Sequence, residues 1–374
     1  MRLNRHPTRV DAFLSTSAAY PPTPSLRTYG GHVFAQSAWA AAHTVAHGLH
    51  VHSITGYFLL LGDTRYAFEY RVRRVRDGGV YALRIVEAYQ DSDAANHGST
   101  PMFVCIVGFK RDERAKHRVG VKGQRRDFGH QEVPGDWIQR EYGGLLAKKR
   151  GFEGWPGAQG MDGMWPVSGM SVDEWKRRGD AFPGLEMKKV DMGNYNLKAV
   201  EGGLADGGAA ARRWRLLLLY RIVTDEEDAQ SEAVTHANPR DRKRSKTGAD
   251  DVINLDACAH LYASDRNSLF LAQRALAFDR TVGHIGSLSH TVNFHCHADE
   301  WLMVGKDGRR KEFVQESWIS NSGADRVTHN SRIFDMETGR LLASTVQDGM
   351  MRISVGMESD VVDGDAILRR EAKL

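Results

Sequence analysis

The pattern of hydrophobic and polar residues in the first part of the chain predicts one helix followed by antiparallel strands. Segment 30–48 is rich in alanine, has apolar residues at helical spacing and ends at Gly48, a typical C-terminal stop. Segments 66–75 and 80–89 alternate between apolar and polar residues and flank the turn sequence RDGG. They predict two strands of a hairpin, and the more continuously apolar segment 102–109 predicts a buried strand.

The second half of the chain repeats this order. A helical pattern at 265–278 precedes four strand-like segments, at 287–295, 312–319, 327–335 and 340–353. The stretches FLLLGD at 58–63 and FHCHAD at 294–299 share the spacing of Phe and Asp, with Thr55 and Thr291 at matching offsets before the Phe. The repeat predicts an α+β fold built from two similar units within one chain.

Changes in composition divide the chain into four consecutive parts, one of which contains an insertion. Residues 1–115 form the first predicted unit, and residues 183–356 form the second. The segment 116–182 between them is charged and rich in Gly and Pro but holds four tryptophans, so we expect it to pack partly on the units. Residues 224–251 change from acidic to basic without apolar periodicity, which predicts a disordered insertion, and 357–374 form a polar tail.

Composition and charge favour an ordinary globular protein. Hydrophobic residues make up 41% and charged residues 26% of the chain, and the net charge is +4. The basic residues are scattered rather than clustered, so nucleic-acid binding is not expected. The cysteines Cys105, Cys258 and Cys296 lie far apart, which indicates a reducing compartment. The longest aliphatic run, at 216–219, is too short to span a bilayer, and the N-terminus lacks the apolar core of a signal peptide.

Several familiar catalytic motifs are absent from the sequence. It has no G-x-S-x-G nucleophile elbow, no G-x-x-x-x-G-K-[ST] phosphate loop and no G-x-G-x-x-G after a strand. The polar stretch HTVNFHCHADE at 290–300 invites a zinc site, but on a strand His295 and His297 point away from Cys296. We therefore expect an ordinary strand and turn there, and neither a metal nor another cofactor.

Two polar residues stand out within apolar surroundings. Asp265 lies at the predicted start of helix 265–278, where it would act as an N-terminal cap, as a catalytic carboxylate, or as both. Gln347 falls on a strand face that is otherwise small or apolar, and a buried Gln is unfavourable unless it is hydrogen-bonded. Gly30 and Gly31 at the start of the first helix allow close approach of a ligand to the backbone.

Several ordered blocks of the sequence resemble the acyl-CoA thioesterase II family. The first half contributes YGGHVFAQSAWAAAHTV, HSITGYFLLLGD and the RDG turn, and the second contributes LYASD, SLSHTVNFH and LLASTVQDGMMR. Together they cover roughly residues 27–110 and 183–353. The resemblance implies a tandem hot-dog fold, in which each antiparallel sheet wraps around a long central helix. It also implies a peroxisomal-type enzyme that hydrolyses fatty acyl-CoA to free acid and CoA.

The family's catalytic residues carry over by block to Asp265, Ser287 and Gln347 of this sequence. The resemblance implies that a water held by Ser287 and Gln347 attacks the thioester directly, with Asp265 as general base or water orienter. By the same resemblance, the paired glycines and His32 belong to the substrate-binding region. His32 replaces the usual Gln of the family, and the turn LLLGD lacks the usual basic residue and proline.

Two other functions stay open at this stage. A non-catalytic acyl-CoA-binding protein would be expected to lack one of the three polar residues, and all three are present. A hot-dog enoyl-CoA hydratase would be expected to carry a His five residues after the Asp, where this chain has Phe270.

The last three residues, Ala372, Lys373 and Leu374, are similar to the S-K-L peroxisomal address. They predict import into the peroxisomal matrix through the import receptor, and a cytoplasmic location if the tripeptide is not read. The family resemblance further suggests a possible homodimer.

Overall fold

A computed structural model of the chain describes most of both predicted units. The described residues are 1–16, 19, 27–90, 100–114, 130–131, 133–149, 151–157, 184–196, 213–223, 248–266, 268–275 and 282–353. Most of the predicted insertion, at 224–247, lies outside these residues. So do the two ends of the segment 116–182, at 116–129 and 158–182, and the tail with Ala372, Lys373 and Leu374.

The described elements repeat the same order in the two halves of the chain. The first half contains β1 (Leu3–Arg5), β2 (Ala12–Ser15), α1 (Gly30–Ala42), β3 (Leu49–Phe58), β4 (Phe68–Asp77), β5 (Tyr81–Gln90) and β6 (Phe103–Arg111). Helix α2 (Trp137–Leu146) and a 3₁₀ turn (Phe152–Gly154) follow. The second half contains β7 (Leu185–Lys189), β8 (Leu216–Ile222), α3 (Ala249–Ser264), α4 (Phe270–Ala275), β9 (Val282–Phe294), β10 (Phe313–Gly323), β11 (Arg326–Asp335) and β12 (Leu341–Ile353). Two strands, a long helix and four strands thus occur twice.

All twelve strands form one antiparallel sheet, with the order β1-β2-β4-β5-β6-β3-β9-β12-β11-β10-β8-β7. The two halves have the same internal strand order and meet where β3 pairs with β9. At this junction Thr55 lies opposite Thr291, and the hydroxyl of Thr291 donates to that of Thr55 over 3.1 Å. The matching threonines of the sequence repeat therefore lie together at the centre of a pseudo-two-fold arrangement.

Helices α1 and α3 pack against each other and against the inner face of the sheet. Nearly every residue of α1 is buried, and its alanines let the neighbouring elements approach closely, as expected from its composition. The phenol of Tyr29, just before α1, donates a 2.7 Å hydrogen bond to the backbone carbonyl of Tyr262 in α3. Within the described ranges, no helix combines the length and apolar character needed to span a bilayer.

The predicted helix at 265–278 is wrong in its position. The long helix of the second half is α3, which ends at Ser264. Among the described residues of the predicted span, 265–266 and 268–275, a short helix forms at Phe270–Ala275. Asp265 is therefore the C-terminal cap residue of α3 rather than an N-terminal cap. Since α3 begins at Ala249, the last residues of the predicted disordered segment 224–251 are helical.

Buried polar residues explain why periodicity did not reveal α3. Asn254 accepts the backbone N–H of Val51 over 2.9 Å, and Asp256 accepts that of Met303 over 2.9 Å. His260 is hydrogen-bonded through both ring nitrogens. These side chains have partners in the interior, so α3 buries residues that sequence patterns assign to a solvent face.

Helix α2 covers part of the outer face of the second half. Ile138 and Tyr142 of α2 are buried in a separate apolar cluster with Leu217 and Leu219 of β8. The phenol of Tyr142 donates a 2.6 Å hydrogen bond to the buried carboxylate of Glu316 on β10. This part of the segment 116–182 thus packs on the sheet through apolar contacts and a charge-assisted hydrogen bond.

Candidate active site

Asp265 lies between the ends of the two central helices. It follows α3 directly, and the backbone N–H of Gly31, in the first turn of α1, donates a hydrogen bond to its carboxylate. The residue is only 8% exposed. The C-terminal end of α3 disfavours a negative charge at this position, whereas the N-terminal end of α1 favours it.

Ser287 and Gln347 reach the same place from the neighbouring strands β9 and β12. Gln347 lies opposite His290, and Gly349 lies opposite Ser287, so the register shifts by one residue at Leu288. In a regular strand, residues 287 and 290 would point to opposite faces. The bulge turns Ser287 to the inner face, where a buried carboxamide can reach it.

The amide nitrogen of Gln347 joins the three predicted catalytic residues. Its Nε2 donates to Oδ1 of Asp265 over 2.6 Å and to Oγ of Ser287 over 2.7 Å. Asp265, Ser287 and Gln347, called the polar trio below, therefore form one connected group. Because the hydroxyl oxygen of Ser287 accepts a hydrogen bond here, its own hydrogen is left to donate to another molecule.

Burial raises the pKa of Asp265 to about 6, although hydrogen bonds from Gln347, Gly31 and Ser268 favour the charged form. A carboxyl group with this pKa is mostly ionised at pH 7 and accepts a proton more readily than an exposed aspartate. The polar trio thus combines a base with a hydroxyl group that can orient a water molecule.

The two glycines predicted to approach a ligand lie beside the carboxylate of Asp265. A Cβ atom at Gly30 would lie 2.8 Å from Oδ2 of Asp265, so a side chain there would crowd the carboxylate. His32 packs against the ring of Tyr262, with the ring centroids 6.4 Å apart. Burial lowers the pKa of His32 to about 4, so its ring is neutral at physiological pH.

Two residues near the site were missed or dismissed at the sequence level. The hydroxyl of Ser268 lies 3.4 Å from Oδ1 of Asp265, a contact that the spacing of three residues after Asp265 would have suggested. His290 belongs to the polar stretch interpreted as an ordinary strand. Its Nε2 lies 2.8 Å from the hydroxyl of Ser264, the residue before Asp265.

The end of that polar stretch has ordinary hydrogen-bond partners. The ring of His295 lies 2.8 Å from the hydroxyl of Ser344 on β12, and the backbone N–H of His297 donates to Glu300 over 2.9 Å. Over the part of the chain that the structure describes, no group of three or more His, Cys, Asp or Glu residues is arranged to hold a metal ion.

The first half has no equivalent of the polar trio. In the second half, Gln347 on β12 lies opposite His290 on β9. In the first half, Val107 on β6 lies opposite Ile54 on β3, so a valine occupies the position that is equivalent to Gln347. Strand β3 has its own bulge at His52, and the residue before it is Val51, where the second half has Ser287. The residue after α1 is His43 rather than an aspartate. Only the second half therefore carries this site.

Sequence comparisons place the chain among thioesterases. Residues 19–109 match the sequence model of the acyl-CoA thioesterase N-terminal domain. The peroxisomal acyl-coenzyme A thioester hydrolase 1 of Saccharomyces cerevisiae is 32% identical over 366 residues, which cover 95% of this chain and 94% of the yeast protein. Acyl-coenzyme A thioesterase 8 of Homo sapiens is 36% identical over 88 residues, and this alignment spans 24% of the chain and 25% of the human protein.

Solved structures share the fold. The acyl-CoA thioesterase II TesB2 of Mycobacterium marinum superposes with a TM-score of 0.55 at 21% identity and covers 96% of this chain and 97% of its own. A hot-dog protein of unknown function from Alicyclobacillus acidocaldarius gives 0.52 at 13% identity, over 95% of this chain and 97% of its own. These likenesses confirm the tandem hot-dog fold. With the yeast relative aligned over nearly its whole length, the chain belongs to the acyl-CoA thioesterase family.

Proposed function

We propose that this chain hydrolyses fatty acyl-CoA thioesters to free fatty acid and CoA, with the polar trio as its catalytic machinery. The observation that carries the proposal is the pair of hydrogen bonds from the amide of Gln347 to Asp265 and Ser287. The three side chains come from three different elements, and Gln347 links the buried carboxylate of Asp265 to the hydroxyl of Ser287. Membership of the thioesterase family supplies the reaction class.

In the proposed reaction, a water molecule attacks the thioester carbonyl directly. Asp265 takes a proton from the water as the water oxygen bonds to the carbonyl carbon. The C–S bond then breaks as the oxyanion re-forms the carbonyl, and the leaving thiolate of CoA takes up the proton from Asp265. Both amide hydrogens of Gln347 are already used, so the hydroxyl of Ser287 is the group that orients the water. A positioned general base of this kind typically contributes about 10²–10⁴-fold to the rate.

The start of α1 supplies the donor that we propose for the developing oxyanion. The N–H of Gly31 already donates to Asp265, and that of His32 donates to the carbonyl of Tyr29 over 3.0 Å. The N–H of Gly30, the first of the helix, has no intrahelical partner. Its position beside Asp265 suits a hydrogen bond to the carbonyl oxygen of the substrate, where negative charge builds up.

Thiol release from acyl-CoAs of C4 to C18 tests this proposal, with the unmodified protein compared to Asp265→Asn. We expect at least a hundredfold loss of rate in a variant that stays folded. Asp256→Asn is a matched control, because Asp256 is also a buried carboxylate of α3 whose pKa is raised to about 6 by burial. It hydrogen-bonds to the backbone N–H of Met303 and is not a member of the polar trio.

The outcomes separate the competing functions. An unchanged rate in Asp265→Asn would contradict the role of this residue as a base. If the unmodified protein binds acyl-CoAs but releases no thiol from any of them, the non-catalytic binding protein is favoured. Hydration of an enoyl-CoA without thiol release would favour the hydratase.

We also propose that the protein works in the peroxisome. The support is its likeness to the yeast protein whose name is peroxisomal acyl-coenzyme A thioester hydrolase 1. A fluorescent protein fused to the N-terminus of the full chain is expected to colocalise with a peroxisomal marker. Deletion of residues 372–374 is expected to leave the fusion in the cytoplasm if the import receptor reads this tripeptide. A diffuse signal from the full-length fusion would contradict the proposal.

A further inference from the structure

Two buried histidines flank the catalytic glutamine within the sheet. His290 on β9 and His329 on β11 are the direct cross-strand neighbours of Gln347 on β12. All three residues are fully buried on the inner face of the second half. In the first half, apolar Ile54 and Val107 occupy the positions of His290 and Gln347, and buried Arg84 occupies that of His329. The glutamine between two histidines is therefore a feature of the half that carries the polar trio.

The carboxamide of Gln347 can serve the polar trio in one orientation only. Its NH₂ group donates to Asp265 and Ser287, so its oxygen Oε1 points away from them. A flip of the amide would place Oε1 within hydrogen-bond distance of the Asp265 carboxylate, where the two acceptors repel each other. In the described part of the chain, the buried Oε1 has no hydrogen-bond donor.

The ring nitrogens of the two histidines have unmet hydrogen-bonding capacity in the same row. The hydroxyl of Ser264 donates to the carbonyl of Leu261 over 2.8 Å, so Nε2 of His290 is the donor in its 2.8 Å bond to that hydroxyl. Nδ1 of His290 is then an acceptor without a donor, and neither ring nitrogen of His329 has a partner among the described residues. Burial lowers the pKa of both rings to about 3, so each ring is neutral.

A single small molecule matches this set of groups. Gln347 Oε1 and His290 Nδ1 each need a donor, and the N–H of neutral His329 needs an acceptor. Water supplies two donors and accepts hydrogen bonds, and buried waters in proteins typically make about three such bonds. Buried polar atoms left without partners are costly, so a polar row of this kind favours occupancy by water.

We propose that His290, Gln347 and His329 form an internal binding site for one water molecule, and that this water holds the Gln347 carboxamide in its catalytic orientation. His329 is then a positioning residue, since it acts on the substrate only through Gln347. The inference rests on the proposed function for its kinetic effect, whereas the water site itself is independent of that function.

The experiment compares the unmodified protein with His329→Leu, His329→Gln and the control Ile319→Val. Leucine fills much of the space but forms no hydrogen bonds, whereas glutamine keeps both a donor and an acceptor. Ile319 lies opposite His329 on β10, so its variant tests repacking of the same row without removing a polar group. The readouts are kcat and KM for thiol release from acyl-CoA, and a crystal structure of the unmodified protein at a resolution that shows bound waters.

We expect His329→Leu to lower kcat about tenfold, the effect of one lost hydrogen bond, with KM unchanged. His329→Gln should recover most of the rate, and Ile319→Val should retain it. Equal rates in His329→Leu and the unmodified protein, or equal losses in the Leu and Gln variants, would overturn the proposed role.

If the leucine variant does not fold, the crystal structure of the unmodified protein still tests whether the water molecule is present. A water within about 3.2 Å of both Gln347 Oε1 and a ring nitrogen of either histidine supports the proposal. A direct bond between His329 and Gln347, or a dry site, overturns it. If the unmodified protein releases no thiol, the proposed function is refuted. The crystal structure would still test, independently, whether a water molecule occupies the site.

Discussion

Replacing Asp265 with asparagine is expected to stabilise the fold at neutral pH while it abolishes most of the activity. The side chain is 8% exposed, and burial raises its pKa from the ordinary 3.8 to about 6. The charged form is therefore less favourable in the folded protein than in the unfolded chain. A residue that serves as a buried base weakens the fold in the pH range where it works.

The size of this effect follows from the shift in pKa. Because the folded-state pKa of Asp265 is raised from 3.8, the stability supplied by its protonated form is complete below about pH 3 and is lost as pH rises through about 6. At about 1.4 kcal/mol per unit, full ionisation costs about 3 kcal/mol. Asparagine avoids this term but replaces one accepting oxygen with NH₂, which costs about 1 kcal/mol. The variant should thus be about 2 kcal/mol more stable than the unmodified protein at pH 8 and about 1 kcal/mol less stable at pH 3.

Urea unfolding of both proteins at pH 3 and pH 8 measures this difference. The free-energy difference between them should change sign between the two conditions. Asp307→Asn is the control, because the side chain of Asp307 is 59% exposed and its neutralisation should have little effect at either pH. A difference between Asp265→Asn and the unmodified protein that is the same at both pH values would refute the argument that burial raises the pKa of this group.

Three further predictions concern the catalytic site and the docking of α2. The value of kcat/KM should rise with pH through an apparent pKa of about 6, since Asp265 must be ionised to accept a proton, and a flat profile from pH 5 to 8 would argue against it. Gly30→Ala places a methyl group 2.8 Å from Oδ2 of Asp265 and should lower kcat at least tenfold. In the control Gly79→Ala the added carbon meets no atom within 4 Å, so an equal loss there would show that the effect is not local. Tyr142→Phe removes the 2.6 Å bond to buried Glu316 and should lower the free energy of unfolding by about 2 kcal/mol in urea titrations; a change of less than 0.5 kcal/mol would show that this bond does not hold α2.

Strands β4 and β5 were predictable because each buries one face more deeply than the other. The alternating segments 66–75 and 80–89 correspond to β4 and β5, and their turn sequence connects them as predicted. Apolar and polar residues alternate along a strand when one face of the sheet contacts solvent and the other contacts the core. Helix α3 has no such signature, since both its apolar and its polar residues are buried.

The geometry of the site required information that no local pattern contains. The family resemblance pointed to Ser287 and Gln347, but their contact depends on the register between β9 and β12 and on the bulge at Leu288. Strict alternation would have placed Ser287 on the face opposite to His290. The position of Asp265 depends on where α3 ends, and the sequence pattern did not reveal this helix but placed Asp265 at the start of a later one. It also depends on the approach of α1 from the other half of the chain.

The pseudo-two-fold arrangement of the two halves explains why the duplicated fold carries one such site. The end of α3 meets the start of α1 at the polar trio, and the end of α1 meets the start of α3 at the equivalent junction. There the carboxylate of Asp250, at the start of α3, accepts the N–H of Gly48 over 2.7 Å and lies 3.0 Å from the ring of His50 on β3. These contacts join the start of α3 to the chain between α1 and β3. Val51 and Val107 lie on the strands where the other half has Ser287 and Gln347. The duplication thus supplies two similar junctions. One is closed by packing and the hydrogen bonds of Asp250, whereas in the other Asp265 is bonded to Gln347, and the hydroxyl hydrogen of Ser287 is left to donate to substrate or water.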